Sequence, residues 1–140
     1  VKLTQRADYG MAAVLYLSQR EADHRYSVDE VSRATEIPEE FLRKIFQTLV
    51  KCGIINSFKG RGGGICLARL PEDITVAEVI QPLEEGMGLV RCLRAEDCPR
   101  SSECEASNFW RRTQENLLQI LDRTTIKDLI EGGKPNAAKG

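Results

Sequence analysis

The chain has 140 residues, 41% hydrophobic and 29% charged, the composition of one globular domain with a modest core. No apolar run approaches the roughly 20 residues of a membrane span, and the opening VKLTQRADYG has no apolar signal core, so no membrane partner and a cytoplasmic location are expected. Net charge is only −1, yet residues 1–70 carry 11 Lys and Arg against 8 Asp and Glu, and residues 71–140 carry 9 against 13.

Taken in order, residues 4–19 read as a helix capped by Thr4, with Tyr9, Ala12, Ala13, Tyr16 and Leu17 on one apolar face. Asp8 lies off that face, in the first turn, where the helix dipole favours a carboxylate. A polar connector, EADHRY, carries the only histidine, His24, without a partner nearby in sequence. Ser27 and Glu30 form a capping box for a short helix, Val28–Thr35, that turns Val31 and Ala34 inward. Pro38 then opens a third helix, Glu39–Lys51, stopped by Gly53.

This third helix is strongly amphipathic. Phe41, Leu42, Ile45, Phe46, Leu49 and Val50 share one face, and Arg43, Lys44, Gln47, Thr48 and Lys51 share the other. Two short helices joined by a tight turn, the second with a basic and amide-bearing outer face, describe a helix-turn-helix. Arg and Gln can bond base edges in pairs, and Lys suits phosphates. The rival reading is a core helix pair with a solvated basic face. The next stretch decides between them. Residues 54–58 and 65–68 are strand-like and flank Lys59-Gly60-Arg61-Gly62-Gly63-Gly64, a hairpin with a basic, glycine-rich tip. Directly after a helix-turn-helix this is a wing, with glycines that let backbone approach a duplex and an Arg61 that can enter a minor groove. The glycine run lacks the phosphate-loop pattern, and a strand follows it rather than a helix.

Thr75 caps a helix over 76–85, and Gly86 and Gly88 release the chain into a loop, 91–105, holding Cys92, Cys98 and Cys104 at equal spacing. Pro99 and Ser101-Ser102 argue against a continuous helix there, so three thiols can turn inward. Three soft ligands on one loop suit an iron–sulfur cluster or zinc. Five cysteines, clustered rather than paired, point to ligand or redox chemistry over structural disulfides. Cys52, at the end of the third helix, reads as a small buried residue, and Cys66 as facing away from the inward Ile65 and Leu67. A long helix over 106–123 places Ala106, Trp110, Thr113, Leu117 and Ile120 on a two-heptad seam, with Phe109, Leu118 and Leu121 beside it. Such a seam suits a second copy of the chain or packing on the chain's own first helix. Thr125 caps a last short helix over 126–131, and the tail after Gly132 reads as flexible.

LTQRADYGMAAVLYL, IPEEFLRKIFQTLVKCGIINSFKGRGGGICLAR and the evenly spaced cysteines together resemble the bacterial winged-helix regulators that include IscR, NsrR and RirA. The resemblance runs over about residues 2–131. It implies a homodimeric transcription regulator whose cysteine loop holds a [2Fe-2S] or [4Fe-4S] cluster. Cys92, Cys98 and Cys104 match the family's cluster ligands. IscR-like members supply a histidine three residues after the last cysteine, where this chain has Ser107. NsrR-like members supply an aspartate from the first helix of the other subunit, and that position is Asp8 here. The wing departs from the pattern at Ile65, where an aromatic is usual. The recognition helix departs at Arg43, where IscR-like members are acidic.

The expectation is therefore a mainly α chain with a small β-hairpin wing, a winged helix-turn-helix plus a long dimerisation helix. Its division is a DNA-binding head at 1–85, a cluster loop at 86–105, dimerisation helices at 106–131 and a tail at 132–140. It would bind a double-stranded operator through Arg43, Lys44, Gln47, Thr48, Lys59 and Arg61, as a repressor, under control of a cluster that senses cluster supply, iron, nitric oxide or redox state. The rivals are a zinc or thiol-switch regulator and a cluster-carrying electron-transfer or assembly protein that does not bind DNA. One histidine, no nucleophile–base spacing and no nucleotide motif speak against an enzyme.

Overall fold

The structure, a computed structural model, describes residues 4–20, 24–84 and 105–132. In chain order these form α1 (Gln5–Ser18), α2 (Val28–Thr35), α3 (Glu39–Lys51), β1 (Ile55–Phe58), β2 (Gly64–Leu67), a 3-10 turn (Pro71–Asp73), α4 (Val76–Ile80), α5 (Glu105–Arg123) and α6 (Ile126–Ile130). Among the described residues the chain is mainly helical with one antiparallel hairpin, as the pattern predicts. Among the described residues no helix is long and apolar enough to cross a membrane.

The buried face of α1 is Ala7, Gly10, Ala13, Val14 and Leu17. That is rotated from the expected one: Ala12 is exposed, and Tyr9 and Tyr16 are only half-buried. The cause is Gly10. A Cβ there would collide with Leu83 Cδ1, so the bare helix backbone is what lets Leu83 pack. The tyrosines sit on the flank, where the Tyr9 hydroxyl accepts from Gln5 Nε2 at 2.8 Å.

The Ser27 capping box is present, with Glu30 N donating to Ser27 Oγ at 3.0 Å and Ser27 N to Glu30 Oε1 at 3.2 Å. Val31 is buried, but Ala34 is exposed rather than inward. The helix ends at Glu36 in the left-handed region, φ 61°, a turn that glycine or asparagine usually makes. Ser32 Oγ donates to Ile37 O across that turn at 2.5 Å. On α3, Leu42, Ile45, Phe46 and Leu49 are buried. Phe41 and Val50, expected on the same face, stand at its margins and are exposed. Phe41 meets Tyr9 edge-on, ring centroids 5.8 Å apart. Cys52 is also exposed, contrary to the expectation of burial, because the helix ends there and Gly53 turns the chain away at φ 76°.

The hairpin pairs Ile55 with Leu67, Asn56 with Cys66, Ser57 with Ile65 and Phe58 with Gly64. Tyr26 adds a bridge on the open edge of β2: its N–H donates to Ile65 O at 2.9 Å, and Ile65 N–H donates to Tyr26 O at 2.8 Å. Ile65 is buried, and Cys66 is half-buried on the opposite side, lining a cavity of about 100 Å³ with Leu17 and Tyr26.

Helix α4 stops at Ile80, not at residue 85. Pro82 cannot continue the helical hydrogen-bond ladder, and a turn follows instead. Arg69, just past the hairpin, donates to Asp73 O at 3.1 Å and pairs with Glu78 on α4, so the wing's root is tied to α4. Helix α5 leans on α4. Helix α6 returns to the head: Val76 N donates to Thr124 O and Ile126 N to Ile74 O, both at 2.8 Å. Ile126 is fully buried within the same core as α1, α3 and α4.

Two stability predictions follow from these contacts. Gly64 has φ 141°, and a Cβ there would lie 2.7 Å from Tyr26 O and 3.0 Å from Tyr26 C. Gly64→Ala should cost about 1–3 kcal/mol and lower the midpoint of thermal unfolding followed by circular dichroism. An unchanged midpoint would refute the packing role. For Glu78, burial raises the carboxyl's pKa, but the Arg69 hydrogen bond and charge and the Thr75 bonds outweigh it and hold the carboxyl below the ordinary glutamate range. A group lowered in the folded state stabilises above its unfolded value and loses that contribution as pH falls through the folded value. Urea unfolding between about pH 5 and pH 3 should therefore show wild-type stability declining more steeply than that of Glu78→Gln. Parallel profiles would refute it.

Candidate nucleic-acid interface and cysteine loop

With its apolar face buried against α1 and α2, α3 turns Arg43, Lys44, Gln47 and Lys51 outward, all exposed. The hairpin stands beside it. Between them lies an open groove of about 700 Å³ that brings Arg43, Gln47 and Lys51 of α3 opposite Ser57 and Lys59 of the hairpin. A second hollow of about 420 Å³ opens on the other flank of α3, where Arg6 of α1 joins Lys44, Gln47 and Thr48. Gln47 thus borders both hollows, with cations on either side.

The individual side chains are not equivalent. Arg43 Nη2 pairs with Glu39 Oε1 at 3.0 Å, one turn back on the same helix. Both groups are largely exposed, so the pair is worth only about 0.3–0.5 kcal/mol and does not lock the guanidinium. Thr48 is half-buried, and its hydroxyl donates to Lys44 O at 3.4 Å. Lys44, Lys51, Lys59 and Arg61 have no acidic partner among the described residues. Lys51 and Lys59 line the groove and Lys44 the opposite hollow, while Arg61 lines neither; uncompensated cations clustered on one surface attract a polyanion. The tip glycines serve two ends. Gly60 and Gly62 make the turn at φ 85° and 72° with open space around them, whereas Gly63 is held small by backbone within the hairpin and Gly64 by the backbone of Tyr26.

Arg6 and Arg25 were not singled out in sequence. Arg6 lies off the apolar face of α1, and only the fold brings it to Lys44. Arg25 lies in the connector, and its guanidinium covers the Phe58 ring at 3.6 Å while Nη1 donates to Gly62 O at 3.2 Å.

Cys92, Cys98 and Cys104 lie outside the described residues, as does the side chain of Ser107. Asp8 is exposed in the first turn of α1, and its carboxylate has no hydrogen bond or ion pair among the described residues. The start of α1 is tied to the point where the chain leaves for the loop. Thr4 N donates to Glu84 Oε1 at 2.6 Å, and Leu83 packs on Gly10. The donor set, three thiols at equal spacing and one unengaged carboxylate, fits an iron–sulfur group in chemistry.

On α5, Phe109 and Ile120 are 52% and 51% exposed, and Trp110, Thr113, Leu117, Leu118 and Leu121 are half-buried. Phe109 and Ile120 are the large apolar side chains that the helix leaves uncovered.

Residues 3–132 match the Rrf2 family, described as iron-dependent transcriptional regulators. The HTH-type transcriptional regulator NsrR of Shouchella clausii is 33% identical over 132 residues, covering 93% of this chain and 89% of that protein. Among solved structures, IscR of T. potens superposes with a TM-score of 0.74 at 25% identity, over 94% of this chain and 87% of that one. CymR, the global cysteine regulator of B. subtilis, superposes with a TM-score of 0.76 at 25% identity, over 96% and 99%.

Proposed function

The chain belongs to the Rrf2 family of transcriptional regulators, and from that premise we propose that it is a homodimeric operator-binding repressor whose DNA affinity is set by an iron–sulfur cluster. The observation that carries the DNA half is the groove between α3 and the hairpin, lined by cations and Gln47. In this reading α3 lies in a major groove. Gln47 and Arg43 face base edges, with Thr48 beside them. Lys44 and Lys59 hold phosphates, and Arg61 enters the flanking minor groove. Releasing Arg43 from Glu39 costs less than the about 1–3 kcal/mol that a bidentate base contact contributes, so the ion pair does not bar base reading. Arg6 extends the phosphate contacts on the far side of α3.

The apolar seam of α5, with Phe109 and Ile120 exposed, is assigned to a second copy of the chain, which sets two heads on successive turns of a pseudo-palindrome. The head is residues 1–85, the cluster loop 86–105, the dimerisation helices 106–131 and the tail 132–140, with α6 packed into the head. Cys92, Cys98 and Cys104 supply three soft thiolates, and Asp8, from the partner's α1, supplies a hard oxygen. When bound, the cluster would supply chemistry sensitive to cluster supply, iron, nitric oxide or redox state. The similarity to NsrR and an oxygen donor at Asp8 support this assignment. The chain's own part is to bind operator in one arrangement of the loop and release it in the other, which requires differential affinity for the two states.

Two experiments test the halves separately. Protein purified without oxygen should show visible charge-transfer bands with iron and sulfide in equal amounts. Cys98→Ala should lose them, Asp8→Ala should retain them less durably, and a protein that stays colourless after reconstitution would point to zinc or a thiol switch. For DNA, Arg61→Ala should keep the chromophore, weaken binding across sequences and reduce the slope of log K against log salt by about 0.9. Gln47→Ala should cost about 1–3 kcal/mol on the preferred duplex only. Salt-independent binding in the wild type would remove the DNA half.

A further inference from the structure

We propose that Arg25 is a positioning residue for DNA binding, which fixes the wing tip from outside the hairpin by stacking on Phe58 and holding the Gly62 carbonyl. This rests on the DNA-binding reading above.

A two-stranded hairpin alone is marginal in water, and this one ends in a tip with glycine at 60, 62 and 63. Glycine loses more conformational freedom on ordering than any other residue. A tip left free would lose that entropy on every encounter with a duplex. A tip ordered beforehand does not.

The connector supplies the order. Tyr26 pairs with the open edge of β2 through two hydrogen bonds to Ile65. That pairing sets the Tyr26 backbone, next in sequence to Arg25, against Gly64, the register partner of Phe58. Gly64 has no side chain to cover the Phe58 ring. The Arg25 guanidinium covers it instead, 3.6 Å from the centroid, and the same group donates to Gly62 O at 3.2 Å. One planar cation thus joins the end of β1 to the far side of the tip, with Lys59 and Arg61 held between its two contacts. Arg25 is engaged by ring and carbonyl, whereas Lys59 and Arg61 have no such partner among the described residues. Its charge acts within the protein, and theirs face outward.

That difference makes the assignment testable. The probe is a fluorescein-labelled duplex selected by the wild-type protein from a random pool, read by anisotropy over a salt series. Arg25→Ala and Phe58→Ala should each weaken binding roughly tenfold. The double variant should be no weaker than either single one, because both remove the same clamp. The salt slope should match wild type in all three. A slope reduced by about 0.9 in Arg25→Ala, with Phe58→Ala harmless, would make Arg25 a phosphate contact and overturn the proposal. Additive losses, or no loss, would overturn it as well. Limited trypsin digestion reads the clamp without DNA. Cleavage after Lys59 and Arg61 should accelerate in Arg25→Ala and Phe58→Ala while the melting temperature of the head stays within a few degrees. Unchanged cleavage sinks the clamp itself. Accelerated cleavage in a protein that selects no duplex sinks the DNA-binding reading and, with it, the positioning role.

Discussion

The rotation of α3 about its own axis is the constraint on which the candidate interface depends. Leu42, Ile45 and Leu49 are almost wholly buried, with Phe46 beside them. Removing one such side chain from a packed core costs about 2–5 kcal/mol, so the helix has one orientation and its opposite face has no choice but solvent. Lys44 and Gln47 point outward because their neighbours point in. The charged groups add little to this. The Arg43–Glu39 pair is worth a fraction of a kilocalorie, and the Arg33–Asp29 pair on α2 is more exposed still. Apolar burial sets the geometry, and electrostatics makes use of it.

The wing obeys a different rule. Its strands offer little buried surface of their own: Ile55 and Ile65 are buried, but Asn56, Ser57 and Phe58 are not. It is held from its rims. Tyr26 extends the sheet, Ala68 N donates to Ile54 O at its base, and Arg69 ties the root to Asp73 and Glu78. Such a structure is stiff where it joins the head and depends on few contacts at the tip. Two of its glycines are there to let the hairpin and the Tyr26 backbone close upon themselves, and only Gly60 and Gly62 serve the turn. A glycine-rich basic tip in sequence therefore carries two messages, and only the fold separates them.

Local signals were legible in the sequence because their physics is local. The capping box at Ser27, the caps at Thr75 and Thr125, the amphipathic run of α3 and the hairpin all depend on residues within a few positions of one another. What escaped depends on distant contacts. Gly10 is buried because Leu83 needs the space, which rotates the expected face of α1. Glu36 adopts a left-handed turn that its side chain does not announce. Arg6 and Arg25 join the candidate site through neighbours 38 and 33 positions away, Lys44 and Phe58. The early end of α4 is the exception: Pro82 was readable as a helix breaker. Cys92, Cys98 and Cys104 rest on spacing and resemblance, since the loop lies outside the described residues.

The way the segments join bears on how a loop could speak to a DNA-binding head. Glu84, the last described residue before the cysteines, accepts from Thr4 N at the cap of α1. Beyond α5, α6 is stitched into the head at Ile74, Val76 and Ile126. The described residues on either side of 85–104 are therefore tied to the head at Glu84 and, past α5, at α6. Packed cores shift between discrete arrangements rather than deform smoothly, so a change confined to the loop has little purchase on the internal shape of the head. It has more on the direction in which α5 departs, because α5 touches the head mainly through α4 and leaves Phe109 and Ile120 of its apolar seam exposed. In a dimer joined along that seam, a small tilt of α5 becomes a change in the separation of two rigid heads. Successive major grooves are one helical turn apart, about 34 Å, and a spacing that misses this distance loses the second head while leaving the first intact. Regulation by spacing then needs no change in Lys44, Gln47 or the wing, which is the economy that a rigid, apolar-fixed α3 permits.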